Sequence, residues 1–302
     1  MLLTQLEYFV AVAQEQHFGR AAAACYVSPS ALSEAIRKLE TELGVPLVRR
    51  GRVFQGLTPE GELALTWARR MLADERALQD GLAAAQKRLA AEVRFGVIPS
   101  ALAQAAALLT TVTQRNPLTH VRMFTNLTTE QIVRRLQRYE LDAGLIHPSV
   151  DDDDLLVTPL YDEPLVLVGA PEIIPVDRDD LPGREVTGLP LALLEPHMRA
   201  RQLLDTAFRR LEITLAPQIE SDSVDGLLAL ARTGGWAAVV PRSATGPGWD
   251  PHGLQVAQLV EPTVTISIAL AQLAEEPRSA LAAAFDNAVS GNHRPPGHPG
   301  AV

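Results

Sequence analysis

Ser28-Pro29-Ser30-Ala31-Leu32-Ser33-Glu34-Ala35-Ile36-Arg37-Lys38-Leu39-Glu40 is the stretch whose reading decides the fold. Ser28 is a good N-cap, and Pro29 occupies the first helical position, where its missing N–H costs nothing. Leu32, Ala35, Ile36 and Leu39 then fall on one helical face, and Ser30, Ser33, Glu34 and Arg37 fall on the other. A short helix that buries one side and offers small hydroxyls plus an arginine on the other suits a DNA major groove. Alone the pattern is weak, because many surface helices share it.

The flanking residues give it meaning. Upstream, Leu6, Phe9, Val10 and Ala13 predict an amphipathic helix, and residues 19–25 predict a short second helix of small residues. Only Tyr26 and Val27 separate that helix from the third, a tight helix-turn-helix spacing. Downstream, Gly44-Val45-Pro46 breaks the third helix. Arg49, Arg50 and Arg52 cluster around Gly51, and Val53 to Leu57 read as completing a two-stranded wing. Thr58-Pro59-Glu60 opens a fourth helix with an N-cap, a proline at N1 and an acidic first turn.

In this order the elements closely resemble the LysR-type transcriptional regulators. The resemblance rests on Leu6 to Ala13, Phe18 with Ala21-Ala22, Val27-Ser28, Ala31-Leu32-Ser33, Ile36 to Glu40, Leu43 to Leu47 and Leu57 to Gly61. It implies a winged helix-turn-helix over residues 1–58, a linker and dimerisation helix over 59–90, and a periplasmic-binding-protein-like effector domain over 91–290. One departure is plain: the family usually has Gln-Pro after the serine, and here the pair is Pro29-Ser30. A polar base-reading side chain is thus missing near the helix start, and Glu34 stands where a basic or amide residue is common.

Charge supports that division. The chain carries a formal net charge of −9, which argues against a surface coated for nucleic acid. Residues 17–52 nevertheless hold six basic against three acidic side chains, whereas 151–185 hold eleven acidic against two basic. One end approaches phosphate and the other stays in solvent. Candidate DNA contacts are Arg20, Ser28, Pro29, Ser30, Ser33, Glu34 and Arg37 around the helix-turn-helix, with Arg49, Arg50 and Arg52 in the wing. Arg49, Arg50 and Arg52 would reach phosphates or a minor groove; Glu34 would accept from a cytosine amino group or shape specificity by repulsion. The modest basic excess implies weak binding by one protomer and dependence on dimerisation.

The fourth helix is read from Pro59 to about Leu89. Its stripe of Leu65, Ala68, Leu72, Leu78, Leu82, Ala85 and Leu89 is more than a lone helix buries. Pairing with the same helix of a second protomer implies a roughly palindromic DNA site. A single cysteine, Cys25, excludes an internal disulfide and fits a reducing, cytoplasmic setting. Met1 to Gln5 lacks a signal-peptide pattern, and no apolar run reaches membrane-spanning length. The Gly-, Pro- and His-rich segment Gly291 to Val302 reads as a disordered tail.

From residue 92 strands alternate with helices, the pattern of a mostly parallel α/β sheet. Strands are predicted at Val93–Ile98, Thr119–Thr125, Asp142–Ile146, Leu165–Gly169, Leu191–Leu194, Ala216–Glu220, Trp236–Val240 and Val264–Ala271. Crossovers near Glu163-Pro164 and Thr265-Ile266 give two lobes, about 91–163 with 265–290, and about 164–264. Ligands of such sheets bind beyond the carboxyl ends of the strands, between lobes. Ser100, Thr128, Thr129 and Ser223 stand at helix starts, where N–H groups attract anions, although the same residues are ordinary caps. His147 and His197 would add a donor or pH sensitivity. Arg199 or Arg201 would pair with a carboxylate, or lie on a solvated helix face. Ser100 and Thr128 also match positions where the family contacts effectors.

The resemblance implies a DNA-binding, homodimeric or homotetrameric regulator switched by a small, anionic effector, with RNA polymerase as a partner and no cofactor. The alternative is a small-molecule-binding protein or enzyme with a helical appendage. Against catalysis, no Gly-Xaa-Ser-Xaa-Gly elbow, phosphate-cradling glycine loop or His-carboxylate metal spacing appears. Asp151 to Asp154 point in successive directions and read as a solvated turn rather than a metal site.

Overall fold

The first three helices are α1 (Leu3–Glu15), α2 (Phe18–Ala24) and α3 (Pro29–Leu43). They close on a core of Leu6, Phe9, Val12, Ala21, Ala22, Leu32, Ile36 and Leu39. Each start is capped by chemistry local to it. The Gln5 side chain accepts the Leu2 N–H at 2.7 Å. His17 Nδ1 accepts from Gly19 and Arg20 N–H groups at 3.0 and 3.2 Å, so α2 begins at Phe18, a residue earlier than its small-residue run suggests. The computed structural model describes residues 1–49, 54–86, 89–148, 154–246 and 253–291.

α3 ends on Gly44, whose φ of +75° suits a residue without Cβ. Among the described residues the wing is reduced to one antiparallel bridge, Val48 to Leu57. Val53 lies outside them, so the predicted two-stranded wing is seen only at its base. α4 runs Pro59–Ala85, about 40 Å at ~1.5 Å per residue, and stops four residues short of Leu89. Gly61 lets its first turn approach the bridge: a Cβ there would sit 2.0 Å from the Leu47 carbonyl oxygen.

The α4 stripe divides. Leu65, Ala68 and Leu72 are buried in the helix-turn-helix core, while Leu78 and Leu82 are 63% and 62% exposed, with Leu63 and Trp67 also open to solvent. Arg69 of α4 reaches Glu140 at 2.8 Å, joining the helix to the second domain.

That domain runs β1 (Glu92–Val97), a 3-10 turn (Pro99–Ala101), α5 (Leu102–Arg115), β2 (His120–Phe124), α6 (Thr129–Gln137) and β3 (Ala143–Ile146). It continues with β4 (Leu155–Gly169), β5 (Asp180–Pro182), α7 (Gly183–Val186), β6 (Leu191–Leu194), α8 (Arg199–Arg209), β7 (Ile219–Ser221) and α9 (Val224–Arg232). β8 (Ala237–Pro241), β9 (Gln255–Val260), β10 (Thr265–Leu273) and α10 (Ala280–Gly291) complete it. Strand order is β2-β1-β3-β10-β4-β8-β6-β7, with β9 paired to β4 and β5. The βαβ units are parallel, and β10 and β4 run antiparallel.

β4 is the main departure from the predicted strands. It starts at Leu155, ten residues before the predicted Leu165, and passes through both lobes. Its outer half alternates irregularly and contains Pro159, which hides a strand in sequence. The β4–β10 register shifts there, with Ile268 opposite Tyr161 and Ala269 opposite Pro159, so Leu160 is the extra residue of a bulge that tolerates the proline. β5 and β9 were also unpredicted. Both are short, and β9 reaches the sheet only through the far half of β4.

Candidate functional site

The outward side of α3 keeps Glu34 and Arg37 exposed and Ser33 half-buried, over the buried Leu32, Ile36 and Leu39. Ser28 Oγ accepts the Ala31 N–H at 3.2 Å and lies 3.0 Å from Ser30 Oγ. The Pro29-Ser30 departure thus ties both hydroxyls to the helix start. Arg20 is exposed, yet its guanidinium donates to the Glu15 carboxylate at 3.1 Å and to the Glu15 carbonyl; contact with a phosphate would replace an existing ion pair. Arg49 is exposed, its N–H held by the Gly56 carbonyl at 3.0 Å. Arg50 and Arg52 lie outside the described residues.

Glu40 positions the chain that follows α3. Its Oε1 accepts the N–H groups of Leu47 and Val48 at 2.8 and 3.2 Å, fixing the chain as it leaves α3 for the wing. Its spacing to those residues carries no helical signal, so sequence reading left its role unassigned.

Between the lobes, five of the six predicted effector residues converge. Ser100, Thr128, Thr129, His147 and His197 line one narrow chamber of 30 Å³, together with Glu130, Met198 and Arg199. Ser223 is separated from them and lines a broader cavity of 560 Å³, which Ser100 also borders. Thr128 forms a capping box, accepting the Gln131 N–H at 3.3 Å while Gln131 Oε1 accepts the Thr128 N–H at 2.9 Å. Thr129 Oγ1 accepts the His147 N–H at 3.2 Å. Ser223 Oγ caps α9 through the Gly226 N–H.

His147 is buried. Loss of hydration pushes its pKa below the ordinary value, the Ser267 carbonyl partly opposes this, and the Arg199 charge adds to it. The ring spans Ser100 Oγ and the Ser267 carbonyl oxygen. Hydrogen bonding from Thr128, with its own backbone N–H, pulls the Glu130 carboxyl down, so the chamber holds one anion facing Arg199. His197 is exposed and paired with Glu195 at 3.0 Å.

The two arginines of this segment part ways. Arg199 borders the chamber. Arg201 is 6% exposed and donates to the Leu194 carbonyl at 2.7 Å, Asp205 at 2.9 Å and Glu220 at 3.0 Å. It is a buried clamp, neither on a solvated face nor free for an effector, because its i+4 partner and the adjacent strand satisfy it. At the mouth of the cleft Asn126 of the first lobe donates to Asp222 of the second at 2.9 Å. Among the described residues no cluster of His, Cys, Asp or Glu could hold a metal ion; Asp151, Asp152 and Asp153 lie outside them. No helix among them is long and apolar enough to cross a membrane.

A helix-turn-helix module, a long linking helix and a two-lobed α/β domain with a polar interlobe chamber define a ligand-responsive DNA-binding regulator. Residues 3–62 match the bacterial regulatory helix-turn-helix of the lysR family, and residues 86–291 match the LysR substrate binding domain; the chain belongs to the LysR family of transcriptional regulators. It is 39% identical over 175 residues to a probable hydrogen peroxide-inducible genes activator of Mycobacterium xenopi, covering 56% of this chain and 89% of that one. Against the DNA-binding transcriptional dual regulator OxyR of Escherichia coli (strain K12), identity is 26% over 308 residues, covering 96% and 99%. The full-length OxyR of Pseudomonas aeruginosa, in a cysteine-to-aspartate variant, superposes with a TM-score of 0.75 at 28% identity, covering 96% and 94%.

Proposed function

We propose that this regulator reads a roughly two-fold symmetric promoter site as a homodimer or homotetramer and is switched by a small anion bound between its lobes. One observation carries the effector half: Ser100, Thr128, Thr129, His147 and His197, singled out separately along the chain, meet around one chamber with Arg199. Helix N-termini, hydroxyls and a guanidinium are the donors a carboxylate requires. The chamber's 30 Å³ holds about one water molecule. Binding therefore requires the lobes to part, breaking Asn126–Asp222, and that movement is the switch.

The three-part division at residues 58 and 90 follows. Leu63, Trp67, Leu78 and Leu82, exposed on α4, are the surface on which a second protomer's helix docks. Ser33, Glu34 and Arg37 read bases; Ser28, Pro29 and Ser30 seat the helix start; Arg20, Arg49, Arg50 and Arg52 hold phosphates. The bound form presents a surface to RNA polymerase, acts in the cytoplasm, needs no cofactor and catalyses no reaction.

Relatives named for hydrogen peroxide supply an alternative signal, and this chain does not carry it through a thiol. Its single cysteine is Cys25, outside residues 86–291. Burial, with the nearby Glu7, pushes the Cys25 thiol up, away from the reactive thiolate.

The test is fluorescence anisotropy on duplexes tiled across the DNA beside its own gene, with and without a panel of small carboxylates. One carboxylate class should shift affinity for one duplex, and Ser100→Ala with Thr129→Ala should remove the shift while preserving basal binding. A shift that survives both substitutions places the effector elsewhere.

A further inference from the structure

Tyr26, in the turn between α2 and α3, is 96% exposed and holds a φ of +57°. Its backbone closes α2: the Tyr26 N–H donates to the Ala23 carbonyl at 3.2 Å and the Val27 N–H to the Ala22 carbonyl at 2.9 Å. That pair of bonds puts Tyr26 at the left-handed position after a helix, where glycine is usual because a Cβ is strained there. The other described residues with positive φ and a side chain are better provided for. Gln16, Glu212 and Glu261 carry exposed polar chains, and Asn126 bonds Asp222. Tyr139 is half-buried and donates its hydroxyl to Glu275 at 2.6 Å. Among the described residues, Tyr26 alone combines left-handed backbone with an aromatic ring left in water and a hydroxyl without a partner.

Tyr26 precedes the N-cap Ser28 by two residues, at the end of α3 that a helix-turn-helix sets into the groove. The first turn of α3 offers DNA few free donors. Pro29 has none, and the Ser28 and Ser30 hydroxyls lie against each other, with Ser28 also capping the helix. A tyrosine brings a neutral donor on a flat apolar ring, a combination that fits a phosphate oxygen and the sugar beside it. We propose, on the reading of α3 as the groove helix, that Tyr26 contacts the DNA backbone, its hydroxyl donating to a phosphate oxygen at the groove edge. Strained backbone and an exposed ring then belong to a contact that DNA completes. The hydroxyl carries no charge, so its contact releases no counterion, unlike that of an arginine.

The test titrates the full-length protein against a duplex of arbitrary sequence across a salt series. Tyr26→Phe, which keeps the ring, should weaken binding about three- to tenfold with the salt slope unchanged. Arg49→Ala, which removes an exposed cation at the wing, should weaken binding and lower the slope by about one. Tyr26→Gly should weaken binding further while the melting temperature of the free protein holds or rises, because glycine suits the left-handed turn. Wild-type affinity in both Tyr26 variants, with Arg49→Ala impaired, would overturn the proposal and leave α3 as the groove helix. A changed salt slope in Tyr26→Phe would overturn it too, as would a lowered melting temperature in Tyr26→Gly, which would give the tyrosine a role in the fold. Absence of binding by the wild type at every salt concentration would remove the groove reading and the Tyr26 contact together.

Discussion

Ser100 Oγ lies 3.1 Å from His147 Nε2, and the opposite ring nitrogen lies 3.1 Å from the Ser267 carbonyl oxygen. A carbonyl only accepts, so His147 Nδ1 carries the proton and Nε2 of the neutral ring is bare. The Ser100 hydroxyl then donates its hydrogen to His147 and has none for a bound anion. Protonating Nε2 reverses the bond and frees that hydrogen.

Anion binding should therefore strengthen on acidification. Burial holds the His147 pKa below its ordinary value, so the free protein is neutral there at pH 7. A bound anion favours the charged ring, proton uptake accompanies binding, and affinity rises as pH falls. Calorimetry of a small carboxylate between about pH 8 and pH 5.5 reads the slope, and His147→Gln should flatten it. A wild-type slope of zero would show that the histidine does not set the Ser100 hydrogen bond.

Glu40→Ala should loosen the wing. Removing the acceptor leaves the Leu47 and Val48 N–H groups without their charged partner, a loss of about 1.5–3 kcal/mol. The melting of the helix-turn-helix should fall, and affinity for all DNA sequences should drop together. Loss confined to one sequence would mean that Glu40 acts on base reading.

Arg201→Ala should destabilise the second lobe by about 3 kcal/mol, the low end for a broken buried pair because Glu220 is water-accessible. Thermal unfolding followed by calorimetry should show that loss with DNA affinity unchanged. A specific loss of carboxylate binding at wild-type stability would return Arg201 to the effector site.

The Arg69–Glu140 pair, 2.8 Å long with Arg69 12% exposed, joins the linking helix α4 to the effector domain. Glu140→Arg should leave DNA binding intact and reduce the effector-dependent change in affinity; Arg69→Glu added to it should restore that change. Two independent losses without restoration would place the coupling elsewhere.

Local signals were legible where one stretch of chain determines its own structure. The cap, proline and apolar face of α3 need only residues 28–44, and the Thr128–Gln131 box needs only four residues. Contacts set by the fold were not legible. Glu40 across the wing, and Arg201 between Asp205, Glu220 and the Leu194 carbonyl, depend on backbone brought in by the fold; His17 is a local cap, hidden because histidine is not among the usual capping residues. β4 escaped because Pro159 and its irregular alternation argue against a strand, and only the bulge opposite β10 accommodates them. Ser100 and His147 stand 47 residues apart in the chain, and only the sheet brings them within hydrogen-bond distance.

Base reading by the exposed face of α3 underlies the proposed regulation. Footprinting of the purified protein on the DNA beside its own gene, across a salt series, tests it most directly. A protected, roughly two-fold symmetric site should appear with the wild-type protein and disappear with Ser33→Ala and with Arg37→Ala. Arg49→Ala, at an exposed phosphate contact, should weaken binding uniformly and lower the salt slope by about one. Protection that persists unchanged in both Ser33→Ala and Arg37→Ala would contradict the claim.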